Sequence, residues 1–414
     1  MSHERIQTVT EITCAASLKQ DRASSMQKFN AYFYYVGIFV YCVNIVLSRS
    51  TFTALLSVFF FSSTKLLCIL LFCLAAATKV TVKINRVLIA ILSVVLALLV
   101  YQKSQSVTPL IFVLSIYSIP SENIQSVLRL FIFSLLFSCL IVVFSALCGI
   151  IPNIYRSGAY FLLPYDLGFS YGSMPGYYLE GITIATILYF RGCVPKLTGW
   201  IIVFLSLLNF LFWGFVTQSF IVLLALIGTV VLNQGKESHT DHKFVRVFSI
   251  LSFCLIPLIF FFVNYFFSEG NPVMQFFNRL LTWRLGLGRN ALHAYGVSLF
   301  GKNVSFSGFG FSTTDMTVSS GGRLTLDSSS TYDYVDSSYV INPILYGIVC
   351  ATLIVFFYMI LAIKSYKANL DYVCFLLIVL AIQGCVNWVL FELYLNPLPL
   401  FAVLLFSDKK TFNF

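Results

Sequence analysis

Apolar residues along this chain gather into runs separated by short polar turns, and the run lengths are those of membrane spans. An α-helix needs about 20 apolar residues, within a range of about 17–25, to cross the hydrocarbon core. Runs near that length occupy 29–47, 84–101, 128–148, 174–190, 197–215, 218–233, 247–266, 339–363 and 372–391. Three more are shorter or interrupted. Segment 51–78 is broken by Lys65 and reads as a surface stretch followed by one span; 107–120 and 394–406 are short. Together they predict an all-α polytopic integral membrane protein with roughly twelve transmembrane helices.

The same pattern sets the organisation. A polar tail (1–28) precedes transmembrane helices over 29–266, interrupted by a medium loop at 149–173 that is rich in Gly, Tyr and Pro. A long polar loop (267–338) follows, then further helices over 339–406 and a short tail (407–414). The N-terminal tail has no apolar stretch ahead of a small-residue cleavage site, so no cleaved signal peptide is expected. Loops as long as 267–338 carry function more often than short connections do.

Charge orients the chain. With the N-terminus inside, the cytoplasmic segments hold Lys19, Arg22 and Lys28, then Lys79, Lys83 and Arg86, Arg129, Arg191 and Lys196, Lys236, Lys243 and Arg246, Lys364 and Lys367, and Lys409 and Lys410. Basic residues recur in every second turn, as the positive-inside rule requires, and both termini fall on the cytoplasmic side.

Composition agrees. Apolar residues make up 59% of the chain and charged residues 10%. A water-soluble surface needs charge on about a quarter of its residues, so lipid supplies the missing solvent. The net charge of +10 is dispersed among turns and forms no patch for nucleic acid. Most of the 11 cysteines fall in or beside apolar runs, with no ligand spacing, and read as small packing residues.

The long loop carries the candidate chemistry. Asn271-Pro272 reads as a cap followed by proline at the first helical position. Phe276, Phe277, Leu280 and Leu281 then recur at helical spacing, with Trp283 beyond, predicting an amphipathic helix in the membrane interface. Gly286 and Gly288 are expected to interrupt it before a second helical stretch at 290–300. In the first half of the loop Arg279, Arg284, Arg289 and Lys302 stand against Glu269 alone; in the second half Asp315, Asp327, Asp333 and Asp336 stand against Arg323 alone. Clustered guanidinium forks match phosphate oxygens of a lipid-linked phosphate or diphosphate, and equally match anionic headgroups or the loop's own acids. His293, four residues after Arg289 and on the same helical face, is the only one of the 4 histidines outside the cytoplasmic segments. It can take a proton from a hydroxyl, or serve as a structural hydrogen-bonding residue. Aromatic, hydroxyl and carboxylate side chains interleave through 305–339 and suit a sugar or a solvated, anchored loop. Glu180 and Glu392 lie near outer ends of spans, where an ionisable group either has a function or reaches into water. His239 and His242 fall in a charged turn and read as solvated.

Three stretches, in order, resemble the bacterial O-antigen and capsule repeat-unit polymerases (Wzy-like). They are Tyr165-Asp166-Leu167-Gly168-Phe169 ahead of Met174-Pro175-Gly176; residues 284–301, reading RLGLGRNALHAYGVSLFG; and Asp336-Ser337-Ser338-Tyr339 with Tyr346-Gly347. The span pattern and late long loop are similar too, as is the general architecture of GT-C-like membrane glycosyltransferases. Where the family often carries a Ser-Arg at the eighth span, this chain has Thr217-Gln218-Ser219-Phe220.

The resemblance implies a multi-pass glycosyltransferase of a bacterial inner membrane. It moves a growing glycan from a polyprenyl-diphosphate carrier onto an incoming lipid-linked repeat unit, without cofactor or metal. Implied partners are that lipid-linked oligosaccharide, membrane lipid, and a chain-length regulator and flippase of the same pathway. On this reading Arg284 and Arg289, aided by Arg279 or Arg156, neutralise the departing diphosphate, while Tyr339 and Glu180 contact substrate. His293 or Asp336 handles the acceptor proton. An O-antigen ligase, a lipid-linked oligosaccharide flippase and a scaffold without chemistry are the competing readings.

Overall fold

The computed structural model describes residues 2–79, 84–120, 124–155, 165–213, 216–237, 242–306, 316–318, 324–326 and 334–403. Its body is a bundle of α-helices. Among the described residues eight helices are long and apolar enough to cross a membrane: Ser25–Ser48 within α1 (Ser2–Ser48), α2 (Val58–Ala77), α3 (Ile84–Ser104), α5 (Ile124–Leu147), α7 (Lys196–Trp213), Val216–Asn233 within α8 (Val216–Glu237), α9 (Lys243–Tyr265) and α13 (Gly347–Lys367). Their outward faces are apolar. Only 11% of α3 is buried, and Leu88, Leu92, Trp200 and Phe204 stand exposed. Water does not tolerate so large an apolar surface, whereas lipid does. The chain is a multi-pass membrane protein.

The remaining expected spans take other forms. Helices α4 (Thr108–Ser118), α6 (Met174–Tyr189) and α14 (Asp371–Gln383) are shorter, at 11, 16 and 13 residues. Segment 51–78 is a 3-10 turn (Thr51–Ala54) followed by α2, with Lys65 half-buried inside that helix. The 339–363 run divides into α12 (Ser338–Leu345) and α13 at Gly347, which takes φ +83° where a β-carbon would collide with Leu299 O and Gly301 N. The polar tail is helical and continuous with the first span. Two three-residue strands, β1 (Met316–Val318) and β2 (Leu324–Leu326), pair antiparallel in the long loop.

The largest departure is at the C-terminus. Helix α14 ends at Gln383, not at 391, and 384–397 runs without helix before a 3-10 turn at Leu398–Ala402. Nearly all of this segment is buried inside the bundle. Backbone that leaves the helix at membrane depth survives only where protein or water satisfies its polar groups. Here side chains do so. Ser338 Oγ donates to Asn387 O (2.8 Å) and accepts from Val389 N (2.8 Å). Tyr358 Oη donates to Leu390 O (2.7 Å), and Asn396 Nδ2 donates to Tyr358 Oη (2.7 Å). Trp388 Nε1 donates to Asn342 Oδ1 (2.9 Å).

Polar clamps fix the helices around this segment. Near the start of α6, Asn209 Nδ2 donates to Ser219 Oγ (3.0 Å), and Ser206 and Ser219 exchange bonds with each other's carbonyls, tying α7 to α8. At the opposite end, Arg246 of α9 pairs with Asp371 at the start of α14 and donates to Asn369 Oδ1 (2.5 Å).

Gly181 of α6 faces this buried segment so closely that a β-carbon would lie 1.9 Å from Tyr394 O. Gly181→Ala is expected to destabilise the fold by about 1–3 kcal/mol, read as a lowered Tm of the detergent-purified protein. Gly199→Ala, whose β-carbon meets nothing within 4 Å, leaves the Tm unchanged.

Candidate functional site

One end of the bundle holds a cavity of about 540 Å³, and residues from several distant parts of the chain line it. They are Arg49 after α1; Tyr171 and Ser173 before α6; Met174 and Tyr177 in its first turn; 216–218 at the start of α8; 282–287 at the start of α11 (Arg284–Tyr295); Tyr334 and Asp336 before α12; and Trp388, Tyr394 and Leu395 of the buried irregular segment. Two guanidiniums, one carboxylate, several hydroxyls and six large aromatic side chains, counting Trp283, therefore line one cavity.

Arg49 is set by the medium loop. Ser170 donates to Arg49 O from both N (3.1 Å) and Oγ (2.9 Å), and Thr51 N donates to Gly168 O (2.8 Å). Gly168 at φ +83° sits 2.8 Å, measured from its would-be β-carbon, from Ala146, so only glycine lets the loop pack there. The Arg49 guanidinium lies 4.9 Å from the Tyr394 ring centre and 3.9 Å from Glu392 Oε1. Its side chain is 20% exposed, whereas Glu392 is nearly fully buried. The charge is thus held in a partly desolvated aromatic setting but keeps open donors.

Arg284 is set by a short amphipathic helix, α10 (Pro272–Leu280). Asn271 caps it, accepting from Val273 N (3.0 Å) and Met274 N (3.2 Å), with proline at the first position. This helix is inside-out. Val273, Phe276, Phe277 and Leu280 point outward, while Asn278 is buried and accepts from Gly286 N (3.1 Å). An uncovered apolar face of this kind fits the membrane interface. Thr282 and Trp283, at φ +51° and +66°, turn the chain between α10 and α11, and two consecutive left-handed non-glycine residues are unfavourable on their own. Gly286 and Gly288 do not interrupt a helix, as expected, but lie within α11. Gly288 packs on Asn264 of α9, where a β-carbon would meet Oδ1 at 2.1 Å.

Arg284 Nε lies 3.3 Å from Asp336 Oδ2, with side chains 19% and 22% exposed. Burial pushes the Asp336 carboxyl above the ordinary aspartate range, and the neighbouring Arg284 partly reverses the shift. Burial likewise raises Tyr334, which keeps its hydroxyl proton as a donor.

Of the residues singled out from sequence, Arg284 and Asp336 line the cavity together. The others lie elsewhere. Arg279 is exposed and Arg289 half-buried, both outside the lining. His293 is exposed, its ring stacked on Tyr265 at 6.2 Å. Tyr339 is buried beneath, with Oη donating to Ala381 O (2.8 Å), a structural role. Glu180 is fully buried below the cavity floor and accepts from Gln383. Arg156 lies outside the described residues, as do His239, Asp315, Asp327, Asp333 and Arg323. Arg49, Tyr177, Trp388 and Tyr394 were not anticipated. Arg49 had a signal: it is a basic residue at the expected outer end of the first span, against the alternation that gathers basic residues at the other ends.

Protonating Asp336 removes the carboxylate that occupies Arg284. Because burial raises this pKa, the change falls above about pH 3.9, where sulfate keeps a constant charge. Binding of radiolabelled sulfate by the purified protein is expected to strengthen by about three- to tenfold as pH falls through that range, and Asp336→Asn abolishes the pH dependence. No family model, curated protein or solved structure matches this chain, so the reading of the cavity rests on its own geometry.

Proposed function

We propose that this protein is a polysaccharide repeat-unit polymerase of a bacterial inner membrane, transferring a glycan from a polyprenyl-diphosphate carrier to an incoming lipid-linked acceptor. The observation that carries this reading is that Arg49 and Arg284 line one aromatic-rich cavity, with the outward-facing apolar helix α10 ending just before its lining residues Thr282, Trp283 and Arg284. Two arginines supply forked donors for a diphosphate, and partly desolvated donors stabilise charge better than solvated ones. Trp388, Tyr394, Tyr171 and Tyr177 supply flat faces for sugar rings.

The chemistry assigned to the cavity is displacement at the donor's anomeric carbon. The acceptor hydroxyl gives its proton to the Asp336 carboxylate and its oxygen bonds to that carbon. The carbon–oxygen bond to the diphosphate breaks, and the departing oxygen keeps the electron pair. Arg49 and Arg284 neutralise the released charge. Asp336 suits the base because burial strengthens its hold on a proton. His293 and Arg289, outside the lining, are left without a part in this step.

In this reading α4, α6 and α14 are shorter crossings and the buried segment 384–403 belongs to the last, giving roughly twelve. Both termini are then cytoplasmic and the cavity opens on the outer face, where lipid-linked repeat units are joined.

In a host deleted for the gene, the surface glycolipid is expected to collapse to lipid core bearing a single repeat unit, with the ladder restored by the wild-type chain. Arg49→Ala, Arg284→Ala and Asp336→Asn each lower chain growth by about 10²–10³-fold at normal protein level, whereas Arg289→Ala keeps the ladder. Loss of every repeat unit on deletion overturns the polymerase in favour of a ligase or flippase. An unchanged ladder removes the protein from this chemistry.

A further inference from the structure

Beneath the cavity floor, α6 and the end of α14 bring together two oxygens that glycan transfer leaves unused. Glu180 is 0% exposed and Gln383 1%. Gln383 Nε2 donates to Glu180 Oε1. Glu180 Oε2 and Gln383 Oε1 are then left buried without a hydrogen-bond partner. Among the described residues no basic side chain pairs with Glu180; the ion pairs found there join Arg49 to Glu392, Arg246 to Asp371 and Arg284 to Asp336. A bare carboxylate in so dry a place is strongly unfavourable unless a proton or a cation neutralises it.

Local backbone adds to the demand. Helix α14 has 13 residues and stops at Gln383, a length of roughly 20 Å against a hydrocarbon core of about 30 Å. Its C-terminal end, carrying the negative pole of the helix dipole, therefore lies inside the bundle beside these oxygens. The unwound segment that follows presses its Tyr394 carbonyl on Gly181, the residue next to Glu180. A half-helix C-terminus, unwound backbone and a lone buried carboxylate form the setting in which membrane proteins bind small cations.

We propose that Glu180 and Gln383 form a binding site for one monovalent alkali cation, with Glu180 Oε2 and Gln383 Oε1 as ligands. One carboxylate balances one positive charge, and oxygen ligands suit a hard ion. Among the described residues no group of three or more His, Cys, Asp and Glu stands together, so a site for a transition metal is not built here. The bound ion ties α6 to α14 directly under Tyr177, Trp388 and Tyr394, and so holds the floor of the cavity in place. This site rests on its own geometry and stands or falls independently of the transfer reaction.

Thermal unfolding of the full-length, detergent-purified protein tests it, in sodium, potassium, lithium or choline chloride at one ionic strength. Sodium or potassium is expected to raise the Tm over choline in a saturable way, by roughly 3 °C or more. Glu180→Gln keeps the amide contact but removes the charge, and is expected to erase the salt-specific rise. Should that variant not fold, equilibrium binding of radioactive sodium to the wild-type protein, displaced by unlabelled sodium or potassium, decides the matter, with about one ion per chain expected. Equal Tm in all four salts together with no saturable binding, or a full response in Glu180→Gln, overturns the site.

Discussion

Everything at the cavity end of this protein depends on one constraint: a peptide chain that leaves the helix inside a membrane protein must find partners for its backbone. Segment 384–403 leaves α14 within the bundle and is nearly fully buried. Ser338, Tyr358, Asn396 and the Trp388–Asn342 pair hold its polar groups or its side chains in place. Each unmet group would be as unfavourable as a lost hydrogen bond in an apolar medium. The bonds therefore fix one path, and that path puts Trp388, Tyr394 and Leu395 on the cavity floor. The same path leaves the end of α14 beside Glu180.

The walls follow from the same economy at the surface of the bundle. The medium loop can dock over α1 and α5 because Gly168 admits a close approach, and the docked loop then holds the Arg49 backbone. Helix α10 cannot bury its phenylalanines in protein, so it turns them outward and its Asn278 inward, where that amide meets the first turn of α11. Arg284 stands in that turn. Charge placement is thus a by-product of where apolar faces can go, and two arginines from opposite parts of the sequence come to face one space.

Much of this was legible beforehand. The apolar runs and the basic turns between them follow from the energy of placing side chains and charges in lipid, which acts residue by residue and needs no knowledge of neighbours. The Asn271-Pro272 cap, the amphipathic α10, and Arg284 and Asp336 as candidate chemistry are local signals of the same kind. By itself, then, the sequence determined a multi-pass helical protein and pointed to the long loop for its candidate chemistry.

The tertiary structure decided the rest, because the rest depends on contacts between distant residues. Nothing in the 372–391 run distinguishes a helix that continues from one that stops at Gln383; the stop depends on Ser338 and Tyr358, which reach it from other helices. Gly286 and Gly288 look like helix breakers until Asn264 and Asn278 fill the space beside them. Arg289 and His293 share a face with each other, yet α11 turns Arg284 to the cavity and leaves both outside its lining. Arg49 becomes a site residue only because Ser170, 121 positions further along the chain, packs against it and holds its carbonyl.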